Sequence, residues 1–64
     1  MPLGTTIKRI RTRKRLTQDE LARKLGVAPN SVARWEQGVV TPTLPRIRAI
    51  AEALDTTTAR LVRD

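Results

Sequence analysis

The chain has 64 residues, enough for one small domain and no second, because a chain of this size buries only about 60% of the surface its unfolded form exposes. Lys and Arg outnumber Asp and Glu by 13 to 6, which gives a net charge of +7 with no histidine; with a pI of about 11.6 the protein is a cation at any physiological pH and should seek a polyanion. There is no cysteine, so disulfides and thiolate metal sites are excluded, and without His a zinc site would need carboxylates alone.

Leu, Ile and Val make up a quarter of the chain, above the roughly 20% below which disorder is expected. They recur at three- and four-residue spacing and nowhere alternate, which predicts an all-α fold. Met1 to Gly4 reads as a lead-in, with Thr5 or Thr6 as the N-cap of a first helix that carries Ile7 and Ile10 inward. The rest of that helix is basic, with Lys8, Arg9, Arg11, Arg13, Lys14 and Arg15. Like charges this dense weaken an isolated helix, so the segment must gain from packing or from a polyanion.

Thr17, followed three residues later by Glu20, forms a capping box at the start of a second helix. Asp19 and Glu20 lie in its first turn, where the helix dipole favours negative charge. Leu21, Ala22 and Leu25 form its inward stripe, and Gly26 suits the left-handed stop. Val27 and Ala28 cross a tight turn to Pro29, which fits the first position of a third helix because an N–H there would have no partner. Ala28 is a poor N-cap. Val32 and Trp35 point inward, and Gly38 ends the helix. A loop from Val39 to Pro42 leads to Thr43, a good N-cap, and Pro45 is tolerated in the first turn that follows. Leu44, Ile47, Ile50, Ala51 and Leu54 mark a fourth helix, and Thr57 caps a last short turn holding Leu61 and Val62. The expectation is one domain over residues 1–64, a compact bundle of about five short helices.

The informative segment is 17–38, two short helices joined by a tight glycine-containing turn, the helix-turn-helix arrangement. Ala22 is small enough for a close crossing, and Leu21, Leu25, Val32 and Trp35 fill the inner angle. Steps of about 100° around the third helix put Asn30, Ala33, Arg34 and Gln37 opposite Val32 and Trp35, flanked by Pro29 and Ser31. That outer face is small, polar and basic, as a surface entering a major groove must be. Arg pairs with guanine O6 and N7, and Asn with adenine N6 and N7.

The string Thr17-Gln18-x-x-Leu21-Ala22-x-x-Leu25-Gly26-Val27, then Val32-x-x-Trp35-Glu36-Gln37-Gly38, then Pro42 and Ile50-Ala51-x-Ala53-Leu54 resembles the Xre family, the Cro and phage-repressor type of helix-turn-helix. The resemblance covers residues 3 to 62. It implies a lambda-repressor-like five-helix domain that binds double-stranded operator DNA, usually as a homodimer on a palindrome, and regulates transcription, more often as a repressor. It places base reading on Pro29, Asn30, Ser31 and Arg34. Phosphate contacts fall on Thr17, Gln18, Gln37, Gly38, Thr43 and Arg46, and a partly buried ion pair on Arg11 and Glu36. The chain departs from the family in three places. The loop after the recognition helix reads Val39-Val40-Thr41 instead of carrying Lys or Arg, so its backbone amides remain as donors and charge must come from the first helix or Arg46. Pro29 offers a thymine methyl only apolar contact. Asp55 replaces a helix-ending Gly in a conformation Asp tolerates.

Competing functions have weaker support in the residues. An antitoxin or coactivator-type module, whose main partner is another protein, would be expected to add a tail, and none follows Asp64. A membrane-surface peptide does not need these caps and dispersed stripes. The longest apolar run is Ala49-Ile50-Ala51, too short to span a bilayer, and the expected location is the cytoplasm. An enzyme is not expected without His, Cys or a glycine-rich phosphate loop, nor is a cofactor, a metal or a small-molecule ligand. Dimerisation is expected because so small a domain reads few base pairs, with Leu61 and Val62 as the contact.

Overall fold

In the computed structural model, which describes residues 3–63, five helices follow one another: α1 (Leu3–Arg13), α2 (Gln18–Leu25), α3 (Pro29–Gln37), α4 (Leu44–Ala53) and α5 (Thr58–Arg63). α2 packs most extensively on α3, α1 lies across α3 and reaches α5, and α4 closes the bundle against α2 and α5. Ile7, Leu21, Val32, Ile50, Leu54 and Leu61 are buried almost completely where these helices meet. Trp35 is buried beside them, so the lone aromatic is a core residue.

Local signals account for most boundaries. α2 begins at a complete capping box: Glu20 N–H donates to Thr17 Oγ1 at 3.0 Å and Thr17 N–H to Glu20 Oε1 at 2.8 Å. α3 has Pro29 in its first turn and the N-cap Ala28 without a side-chain bond. Thr57 Oγ1 accepts from Arg60 N–H at 3.1 Å and starts α5. The helices α1 to α4 all stop through a residue with positive φ: Arg15 at 61°, Gly26 at 70°, Gly38 at 77° and Asp55 at 56°. After each, the next N–H reaches back five residues, as from Val27 to the Ala22 carbonyl and from Thr56 to the Ala51 carbonyl, which satisfies carbonyls left over at the helix end. Gly26 takes this conformation without a Cβ penalty. Asp55 takes it as the sequence suggests, and Arg15 does so with no sequence signal in favour.

Three expectations are corrected. α1 does not begin at Thr5 or Thr6 but already at Leu3, and Thr6 is fully buried within it. The reason is tertiary: a Cβ at Gly4 would run into the Trp35 and Glu36 carbonyl oxygens, so this glycine lets the first turn of α1 lie directly on the end of α3. Leu44 does not join the inward stripe of α4 and is 56% exposed; Thr43 is the N-cap, but its hydroxyl makes no cap bond. Leu61 is not a surface residue free to hold a second copy. It is 1% exposed, packed under α5 against the core, and only Val62 of that pair faces outward.

Candidate nucleic-acid interface

α3 is anchored from behind. Val32 and Trp35 are buried, whereas Pro29, Asn30, Arg34 and Gln37 are exposed and Ser31 and Ala33 are half-buried. The sequence-predicted reading residues are therefore together on one side of one helix. Asn30 and Arg34 are four residues apart, neighbours on a helix surface about 5–6 Å apart at Cβ. Among the described residues no hydrogen bond or ion pair engages the Asn30, Ser31, Arg34 or Gln37 side chains. Asn30 in particular does not turn back on its own backbone. Their donors and acceptors face solvent and are available to another molecule.

A buried polar network fixes this helix relative to the start of α2. Arg11 Nε donates to Glu36 Oε2 at 2.6 Å and Nη2 to Oε1 at 3.1 Å, a two-point pairing. Its Nη1 donates to the Leu16 carbonyl at 2.7 Å. The side chains are only 11% and 3% exposed, and a charge so placed needs both its partner and its hydrogen bonds satisfied. Glu36 Oε1 also accepts from Gln18 Nε2 at 2.9 Å. The ion pair expected from the sequence is present. The Gln18 bond was missed because nothing local in a sequence marks a contact across eighteen residues, and the Leu16 carbonyl, five residues from Arg11, because it depends on how the chain turns after α1.

The candidate phosphate contacts are more scattered. Thr17 Oγ1 serves its own helix, accepting from Glu20 N–H, and its hydroxyl also turns towards the Glu20 carboxyl, so it is already engaged within the capping box. Gln18 spends one amide hydrogen on Glu36 and retains the other. Gln37 and Thr43 are exposed and Arg46 is half-buried. The Gly38 N–H is spent inside the chain on the Arg34 and Trp35 carbonyls. The Val39 and Val40 N–H groups both point to the Arg34 carbonyl, at 3.0 and 3.4 Å, so the loop amides expected to remain as donors are engaged there. Val39 and Val40 are themselves exposed apolar side chains. Around α3 and this loop, Arg34 is the one exposed cation among the described residues.

A family model described as helix-turn-helix (HTH_3) matches residues 7–61. The HTH-type transcriptional activator BcrR of Enterococcus faecalis is 29% identical over 62 residues, which is 97% of this chain but 30% of that protein. The chain thus spans less than a third of that relative. Among solved structures, the P22 c2 repressor in complex with a synthetic operator superposes with a TM-score of 0.90 at 22% identity, over 98% of this chain and 96% of the repressor chain. The restriction-modification controller protein C.AhdI of Aeromonas hydrophila is 32% identical with a TM-score of 0.90, covering 94% and 91%. SinR, the master regulator for biofilm formation, in complex with DNA, is 30% identical with a TM-score of 0.87, covering 94% and 97%.

Proposed function

The chain belongs to the helix-turn-helix family, and from that premise we propose that it is a transcriptional regulator that binds double-stranded DNA with sequence specificity. The observation that carries this reading is the outward side of α3, where Asn30 and Arg34 stand exposed and unbonded while Val32 and Trp35 hold the helix from behind. In a major groove, Arg34 donates two parallel bonds to guanine O6 and N7, and Asn30 pairs with adenine N6 and N7. Ser31 adds a hydroxyl contact and Pro29 an apolar one. Thr17, Gln18, Gln37, Thr43 and Arg46 line the backbone on either side and set register without reading sequence, whereas Gly38, its N–H already spent, gives the phosphates no donor. Gln18 does so through the amide hydrogen that Glu36 leaves free. The operator in the c2 repressor complex and the DNA in the SinR complex are what those neighbours hold, and they support the same partner for this chain.

One α3 tests only a few base pairs, so the protein acts as a homodimer on a palindrome with half-sites about 34 Å apart. Leu61 takes no part in that dimer, and Val62 remains as a contact. Repression is the outcome we assign, since occupying a promoter blocks it without any further contact, whereas the activator BcrR matches this chain over only 30% of its length. The protein works in the cytoplasm, where its duplex is, and needs no catalytic step, cofactor or small-molecule ligand. Selection from random duplexes tests the reading. The expected result is an enriched palindrome with half-sites one helical turn apart; recovery of unenriched sequence after several rounds would overturn it.

A further inference from the structure

The +7 charge is not concentrated where α3 points. α3 and the loop after it expose Arg34 alone, while Lys8, Arg13, Lys14 and Arg15 stand exposed along α1 and its end, and Arg60 on α5. Three of these cations converge. A cleft of about 120 Å³ between the end of α1 and the α4–α5 turn is lined by Ile10, Arg13, Lys14, Asp55, Thr56 and Arg60. Ile10 is its buried floor and Thr56 its half-buried wall, and the four charged side chains are exposed at its rim. Among the described residues no hydrogen bond or ion pair engages the side chains of Arg13, Lys14 or Arg60. Three cations face one carboxylate, so the cleft is net positive.

The cleft belongs to a different side of the domain from α3. Gly4 and Arg11, seven residues apart on one line of α1, meet the end of α3. Successive residues turn by about 100° around a helix, which centres Ile10, Arg13 and Lys14 roughly 100° away from that line, towards α5. Neither α2 nor α3 contributes a residue. Cations gathered around a concavity with a hydroxyl on one wall suit a tetrahedral oxyanion, because guanidinium groups match its oxygens two at a time. We propose that this cleft is a second phosphate-binding site, which takes a backbone phosphate of nucleic acid outside the stretch that α3 reads. Only the choice of nucleic acid as the source of the phosphate rests on the DNA-binding reading. The site gives the domain a sequence-blind hold on DNA that the cation-poor loop after α3 does not supply, since phosphate contacts add affinity through counterion release whatever the bases are.

The test is a nuclear magnetic resonance titration of the ¹⁵N-labelled full chain with inorganic phosphate and, separately, with a short duplex of random sequence. The expected result is that the Arg13 and Arg60 Nε–H and Thr56 amide signals move strongly with duplex and weakly with phosphate. Movement with phosphate alone overturns nucleic acid as the source, and no movement with either overturns the site. The α3 signals are read in the same spectra: if Asn30 and Arg34 stay still with every duplex while the cleft responds, it is the groove-reading assignment that fails. A triple variant, Arg13→Ala with Lys14→Ala and Arg60→Ala, should lower the slope of log affinity against log salt by about 0.9 for each phosphate lost. A charge-matched control, Arg23→Ala with Lys24→Ala and Arg48→Ala, should leave it nearly unchanged. Equal slopes for the two variants would reduce the cleft to part of the overall charge and contradict the proposal.

Discussion

Arg15 holds a left-handed backbone at φ 61°, a conformation that costs an L-residue with a Cβ roughly 1–2 kcal/mol. Its side chain makes no bond among the described residues that would offset this. Arg15→Gly should therefore raise stability, by about 0.5–1 kcal/mol once the larger unfolded-state entropy of glycine is counted, as measured by urea unfolding. A loss of stability would show that the arginine contributes to the fold in a way its geometry hides. Arg11→Ala should do the opposite. It leaves Glu36, 3% exposed, with the Gln18 amide as its remaining side-chain partner among the described residues, and uncompensated buried charge costs about 3 kcal/mol or more. An unchanged melting temperature would mean that water reaches Glu36. The two arginines also mark how far residues can be read from sequence. The Arg11–Glu36 pairing is visible through the family resemblance. The strain at Arg15 is not, because arginine carries no turn preference; only the three-residue gap between the end of α1 and the Thr17 cap forces it.

Elements were legible where their signals are local. The Thr17–Glu20 box, the Gly26 and Gly38 stops and Pro29 in the first turn of α3 all work within four or five residues, and each lies where the sequence puts it. The start of α1 was not legible, since docking on the carbonyls of α3 decides it, not a cap. Periodicity likewise assigns Leu44 and Leu61 to inward faces or chain ends without saying which of them another helix covers. The α1–α3 contact has its own test. Gly4→Ala places a methyl group against backbone oxygens that cannot rotate away, so it should destabilise by about 1–3 kcal/mol despite the better helix propensity of alanine. A gain in thermal stability would contradict the close approach. At α2, hydrogen bonds from the Thr17 backbone N–H, then its hydroxyl, hold the Glu20 carboxyl below its ordinary 4.5, with Arg23 adding a smaller push in the same direction. A depressed carboxyl contributes stability above its unfolded pKa and loses it as pH falls through the folded value. Between about pH 5 and pH 2 the wild type should lose more melting temperature than Glu20→Gln, which keeps an acceptor but does not titrate. Parallel curves would detach the cap from the acid response.

At the scale of the whole molecule, a bundle measuring 25 × 23 × 20 Å leaves little interior, and most of its charges lie outside, the Arg11–Glu36 pair being partly buried. The fold anchors α3 from behind, leaves its Asn30 and Arg34 side exposed and spreads most of its cations over other faces. Affinity should therefore depend steeply on salt while sequence preference stays with a few side chains. The site was legible as a face, because Val32 and Trp35 reveal by their spacing which side of α3 is left over. The network that fixes that face, from Arg11 through Glu36 to Gln18, joins three helices and appears only in three dimensions. The most direct test is the affinity of wild type and Arg34→Ala for the selected duplex and for a random one at a single salt concentration. Binding of the selected duplex should weaken by about 1–3 kcal/mol, or roughly 5- to 150-fold, with preference relaxed at one base pair and the random duplex far less affected. Equal losses on both duplexes would show that Arg34 holds only phosphate and that α3 does not read the groove.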